Sequence, residues 1–127
     1  MFEQDWIMRQ IHDMTKIIAK VVFGANVSSI AAELPQAERE IADDLIDKMK
    51  NGKVQEAVND VESLSDNNTH QNLLIGLEFY SHLSVMDEGF LEDNAYNLIK
   101  AKKDFERFAE KFGMQQMTSL YFGNNAE

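Results

Sequence analysis

Cysteine is missing from this 127-residue sequence, and proline nearly so. Without cysteine there is no disulfide, no thiolate metal ligand and no thiol nucleophile; such a composition suits a reducing compartment. One proline and six glycines supply too few turn residues for an all-β domain of many short strands. A long apolar run is also lacking. Ile17 to Phe23 is interrupted by Lys20, and no stretch reaches the roughly 20 apolar residues of a membrane span. The opening residues carry Glu3 and Asp5 where a secretory signal would be basic, so no signal peptide is expected and a cytoplasmic location is. Cations are scarce: 12 lysines and arginines stand against 22 acids, a formal charge of −10. A field of that sign repels phosphate backbones and anionic lipid, so neither nucleic acid nor membrane is expected as a partner. Its plainest effect is solubility.

What is present is helical periodicity. Apolar residues form 44% of the chain, enough to close the core of one domain over residues 1–127. The organising stretch is Leu73 to Met86. Turned at about 100° per residue, it shows Leu73, Leu77 and Tyr80 on one side and Ile75, Phe79, Leu83 and Met86 on the other, with only Glu78, Ser81 and His82 as polar interruptions. A helix apolar nearly all round is enclosed by its neighbours. The fold class is therefore all-α, with about five helices in antiparallel hairpins around a central helix at residues 69–86.

The first helix is expected from Asp5 to Phe23, with Ile7, Ile11, Met14, Ile18, Val21 and Val22 as its buried stripe and Gly24 as its stop. Asp5 lies near the positive end of its dipole and Lys20 near the negative end; Arg9 is placed to pair with Asp13, and Asp13 with Lys16. The segment 26–34 reads as a loop or a loop with one helical turn. A second helix follows Pro35 and runs to Lys50 with Ile41, Ala42, Leu45, Ile46 and Met49 inward, and a third runs from Lys53 to Ser63. Asn68 and Gln71 resemble a capping box for the central helix. The fifth helix is expected unbroken from Phe90 to Phe112, with Leu91, Ala95, Leu98, Phe105, Ala109 and Phe112 inward and Lys102 laying its stem along that stripe. The tail, 113–127, carries Met114, Met117, Leu120, Tyr121 and Phe122, so it is expected to dock in part, with Asn124 to Glu127 frayed.

The run Phe2-Glu3-Gln4-Asp5-Trp6-Ile7-Met8-Arg9-Gln10-Ile11, with Ile18-Ala19-Lys20 and Phe23-Gly24 behind it, resembles the opening of a family of small uncharacterised bacterial all-helical proteins. That resemblance implies a fold similar to tetratricopeptide-type helical hairpins, and implies no activity, cofactor or site residue. Gly52-Lys53-Val54-Gln55-Glu56-Ala57 also looks like the start of the second helix of such a hairpin. The preceding helix lacks the matching aromatic and small residues, so hairpins are expected and a repeat array is not.

Few constellations bear chemistry. Glu78 and His82, four apart on one helical face, would need further ligands to hold a metal; the plainer reading is a hydrogen bond between them or to water. His12 and His70 read as solvated or structural. Glu40, Asp43, Asp44 and Asp47 form an acidic ridge that reads as a solvated face, or as a surface for a basic partner. Residues 66–77 have the length of a calcium loop without its ligands. Phosphate-loop, dinucleotide and serine-nucleophile patterns are absent. The expectation is a non-enzymatic protein-interaction module without metal or cofactor, binding a protein partner or itself. The alternative is a bundle with a ligand or metal site near Glu78 and His82.

The contact surface is expected on the first helix. Its apolar arc, widened by Trp6 and Ile17, exceeds what one neighbouring hairpin covers, so the Trp6 flank should stand exposed in a monomer. Arg9, Lys16 and Lys20 adjoin it and would meet an acidic ridge such as Asp43, Asp44 and Asp47 of a second copy, a dimer being favoured over a monomer covered by its own tail.

Overall fold

The computed structural model describes the backbone of residues 2–123 and the side chains of residues 6–122. The expectations for Asp5 and for Asn124 to Glu127 lie outside the described side chains. Among the described residues eight α-helices follow in order: α1 (Phe2–Phe23), α2 (Val27–Ala31), α3 (Gln36–Lys50), α4 (Val54–Leu64), α5 (His70–Leu83), α6 (Glu88–Asp93), α7 (Leu98–Lys111) and α8 (Gln115–Thr118), then a π-helical turn, Ser119–Gly123. The described residues contain no strand.

Helix α5 is the centre. Leu73, Leu74, Ile75, Leu77, Phe79, Tyr80 and Leu83 are all buried, covering its whole circumference. Helices α1, α2 and α3 pack against it directly. On the remaining side α7 presents aromatic rings: Phe105 meets Tyr80 edge-on at 5.1 Å between centroids, and Phe108 lies 5.2 Å from the same ring. Gly76 lets this approach happen, because a Cβ there would stand 2.1 Å from Cε1 of Phe108. Helices α3 and α4, joined by three residues, pack on each other as a hairpin, and Lys48 Nζ bridges it to Asp60 at 2.6 Å.

Capping chemistry sets the boundaries. Asn26, Thr69, Asp87 and Asn97 each accept a backbone N–H from the first turn of the helix that follows. Thr69, one residue beyond the expected Asn68, therefore caps α5; Asn68 instead donates to the Lys111 carbonyl at 3.3 Å. The largest departure is in the expected fifth helix, which is broken into α6 and α7. Ala95 adopts φ +62°, and the Tyr96 N–H reaches back to the Leu91 carbonyl at 2.9 Å. The same closure, with Met114 N–H on the Ala109 carbonyl at 2.9 Å, stops α7 at Gly113. At residue 95 an alanine occupies the left-handed position, so the usual glycine signal is missing. Ala95, assigned inward on an unbroken helix, is exposed, and Tyr96 is buried in its place. Two further inward assignments are corrected: Val21 is 72% exposed and Ile41 40%.

Candidate functional site

Helix α1 has a core side and an open side. Ile11, Met14, Thr15, Ile18 and Ala19 are fully buried. The Trp6 flank is covered rather than exposed: the tail folds back, Phe122 is buried, and its ring meets Trp6 edge-on at 6.4 Å. Lys102 Nζ stands 5.4 Å from the centre of that same Phe122 ring. Trp6 and Ile17 are half-buried, while Arg9, Lys16 and Lys20 are exposed. None of these three cations pairs with a described acid, and the expected Arg9–Asp13 and Asp13–Lys16 pairs are not formed.

Glu78 and His82 are not brought together with further ligands. The Glu78 carboxylate, nearly buried, accepts from Arg39 Nη2 at 2.7 and 2.8 Å. The same guanidinium donates to Asp43 Oδ1 and to the Ala31 carbonyl at 2.6 Å, tying α2, α3 and α5 together. Burial, followed by the charge of Lys50, holds the His82 pKa below its ordinary value against the opposing pull of Glu78. Among the described residues no group of three or more His, Asp or Glu side chains is placed to hold a metal ion. Arg39 carried no weight in the sequence reading; its i,i+4 relation to Asp43 was the available signal.

A second buried carboxylate was also missed. Tyr96 donates its hydroxyl to Asp104 Oδ2 at 2.8 Å, and Arg107 pairs with the other oxygen while reaching Glu62 at 3.1 Å. Burial raises the Asp104 pKa, opposed by the Tyr96 hydrogen bond and the Arg107 charge. Burial, then the neighbouring Tyr80 and Asp104, raises that of Tyr96. The signal was spacing: Asp104 falls inside the stripe Leu98, Ala101, Phe105, Phe108.

A concavity lies elsewhere among the described residues, between α1, the α5–α6 connection, α6 and the start of α7. It holds about 580 Å³, a volume within the range of ligand and peptide clefts. Met8, Val85, Met86, Leu91 and Leu98 supply apolar walls; Arg9, His12, Ser84, Asp87 and Glu88 supply the polar ones. His12, read from the sequence as a solvated residue, is half-buried, with Nδ1 3.0 Å from Ser84 Oγ. The buried Ser84 hydroxyl sends its one proton to the Ser81 carbonyl at 2.8 Å. With that proton on the Ser81 carbonyl, Ser84 Oγ accepts from His12 Nδ1, the tautomer in which Nε2 of the neutral ring is an acceptor. A smaller concavity, about 190 Å³, is lined by Val22, Asn68, His70, Leu73, Phe112 and Met114; there Phe23 meets His70 edge-on at 5.9 Å.

The chain belongs to the family of unknown function DUF6483, whose model matches residues 1–113. No curated protein and no solved structure matches it. The matched span includes α1 to α7 and every residue lining the groove, and it stops where the tail begins to fold back over Trp6. No helix among the described residues is long and apolar enough to cross a membrane.

Proposed function

We propose that the protein is a non-enzymatic protein-interaction module, a helical-hairpin scaffold of tetratricopeptide-like character that meets its partner along α1 and the groove beside it. The groove carries this reading. It is about 580 Å³, open along one side, walled by deformable methionines and polar groups together, with Val85 standing 69% exposed on its wall. An open furrow of mixed chemistry suits a stretch of polypeptide better than an enclosed small molecule. Arg9 joins the groove to the outward face of α1, where Lys16 and Lys20 extend the contact surface.

Self-association is the simplest form of such contact. The exposed acids Asp43, Asp44 and Asp47 on α3 match the cations of α1 in sign, and opposed charges of this kind fix orientation more than affinity. With the Trp6 flank under the tail, the cations and Ile17 remain to make this contact. Light scattering across a concentration series reads the oligomeric state; a dimer of this kind weakens with salt and in the Lys16→Glu, Lys20→Glu double variant. The module reading is tested by capture from host extract on wild-type protein and on Val85→Glu, an exposed substitution that leaves the helical spectrum and melting temperature in place. A protein retained by the wild type and lost from Val85→Glu supports the reading. Capture of nothing, or equal capture by both, overturns it.

A further inference from the structure

We propose that the groove reads a basic side chain: it holds an amphipathic segment of a partner polypeptide whose lysine or arginine donates to His12 Nε2. This rests on the module reading above and adds the chemistry of the partner. Three observations converge. The hydrogen-bond chain Ser81 carbonyl, Ser84 hydroxyl, His12 Nδ1 favours the tautomer with the proton on Nδ1, in which Nε2 of this lining residue is an acceptor. The groove lining also carries two carboxylates, Asp87 and Glu88. Asp87 uses Oδ2 to cap α6, accepting from the Phe90 N–H at 3.0 Å, and Glu88 is half-buried with no cation among the described residues within ion-pairing distance. Met8, Met86, Leu91 and Leu98 add apolar lining for the residues on either side of the cation.

The whole molecule favours the same partner. At −10 it attracts basic segments and repels acidic ones over distances longer than a contact. Arg9 is the single cation on the groove wall. It gives the site a direction: a carboxylate one turn away from the bound lysine meets Arg9, so a segment with an acid on that side docks in one orientation. An ammonium or guanidinium placed against Nε2 and Glu88 gains charge-assisted hydrogen bonds. An acidic side chain in the same place would face two carboxylates and an acceptor.

The test uses full-length protein labelled at its methionine methyls. Met8 and Met86 line the groove, and fully buried Met49 in α3 serves as an internal control. The probes are acetylated, amidated seven-residue leucine-rich peptides with lysine, norleucine or glutamate at the centre, and n-butylamine alone. The lysine peptide is expected to shift Met8 and Met86 saturably and leave Met49 unmoved. Norleucine should weaken binding about tenfold, and glutamate should abolish it. His12→Ala should cut lysine-peptide affinity about fivefold while norleucine-peptide affinity stays the same. Equal binding of the lysine and norleucine peptides overturns the basic-side-chain inference and leaves the module reading intact. Equal shifts with n-butylamine replace the polypeptide occupant with a free amine and overturn the inference. No shift at Met8 or Met86 with any peptide overturns it as well, and the Val85→Glu capture experiment then decides the module reading separately.

Discussion

Helices α1 and α5 are both rich in apolar residues, yet their surroundings differ completely. Every side of α5 is covered: α1, α2 and α3 pack against its backbone, and α7 closes the last side with Phe105 and Phe108. Its one large polar interruption, Glu78, is neutralised by Arg39 from α3. Helix α1 is covered by α5, α7 and α2 on its core side and by the tail along the Trp6 flank, and the rest of its surface is open. Its outer side carries Arg9, Lys16, Lys20 and the exposed Val21, and one edge opens into the groove. The difference teaches that apolar content sets how much surface must be covered, while the supply of neighbours decides where. The tail lies over the Trp6 flank, and the groove edge stays open.

The contrast breaks most readily at the tightest point of α5. Gly76→Ala improves helix propensity by about 1 kcal/mol, but its Cβ would stand 2.1 Å from Phe108 Cε1. The ring must move within a full core, so a net loss of about 1–3 kcal/mol is expected, read as a lower urea midpoint with an unchanged slope. Unchanged or increased stability would mean that α5 and α7 do not approach this closely.

A smaller effect sharpens the picture on the α7 side of α5. The folded-state pKa of Asp104 lies above its ordinary value because burial disfavours the charged form. The native state then binds more protons than the unfolded chain between the ordinary aspartate value and the raised one, so this group's contribution to stability falls as pH rises through that window. In Asp104→Asn that contribution is gone. The difference in unfolding free energy, variant minus wild type, is expected to move in the variant's favour from about pH 4 upward and then level off, with a total change on the order of 1 kcal/mol per unit of raised pKa. A difference that is flat with pH, or that moves the other way, would show that Tyr96 and Arg107 outweigh burial.

The smallest effect belongs to the open side. Val21 is 72% exposed, so Val21→Ser should change stability by no more than about 0.5 kcal/mol. The same substitution at fully buried Ile18 would be severe. A marked loss at Val21 would mean that the outer side of α1 is covered after all, by a second copy of the chain.

Much of this fold was legible in residue spacing. The central helix followed from Leu73, Leu77, Tyr80, Ile75 and Phe79, because an apolar circumference has no other stable environment. Gly52 and Gly113 announced two helix ends, since each adopts the positive φ that glycine tolerates. The break at Ala95 was not legible, because the residue there carries no turn signature and the conformation is imposed by the buried Tyr96 and the Asn97 cap. The groove was illegible for a related reason. His12 and Ser84 are 72 positions apart, and nothing in either local pattern pairs them. Arg39 and Glu78, 39 apart, were hidden in the same way, and each read alone as an ordinary charged residue on a helix face.

By itself the sequence determined the helical class, most helix boundaries, the identity of the central helix and an overall charge that favours basic partners. Those properties follow from local periodicity, capping and composition, which act over a few residues or over the whole chain at once. Only the tertiary structure decided that the tail covers Trp6, that Arg39 occupies Glu78, that Asp104 is buried against Tyr96, and that His12 meets Ser84 on the wall of a groove. Those outcomes depend on which surfaces meet, and a helix's own sequence records how much it must bury without recording what will cover it.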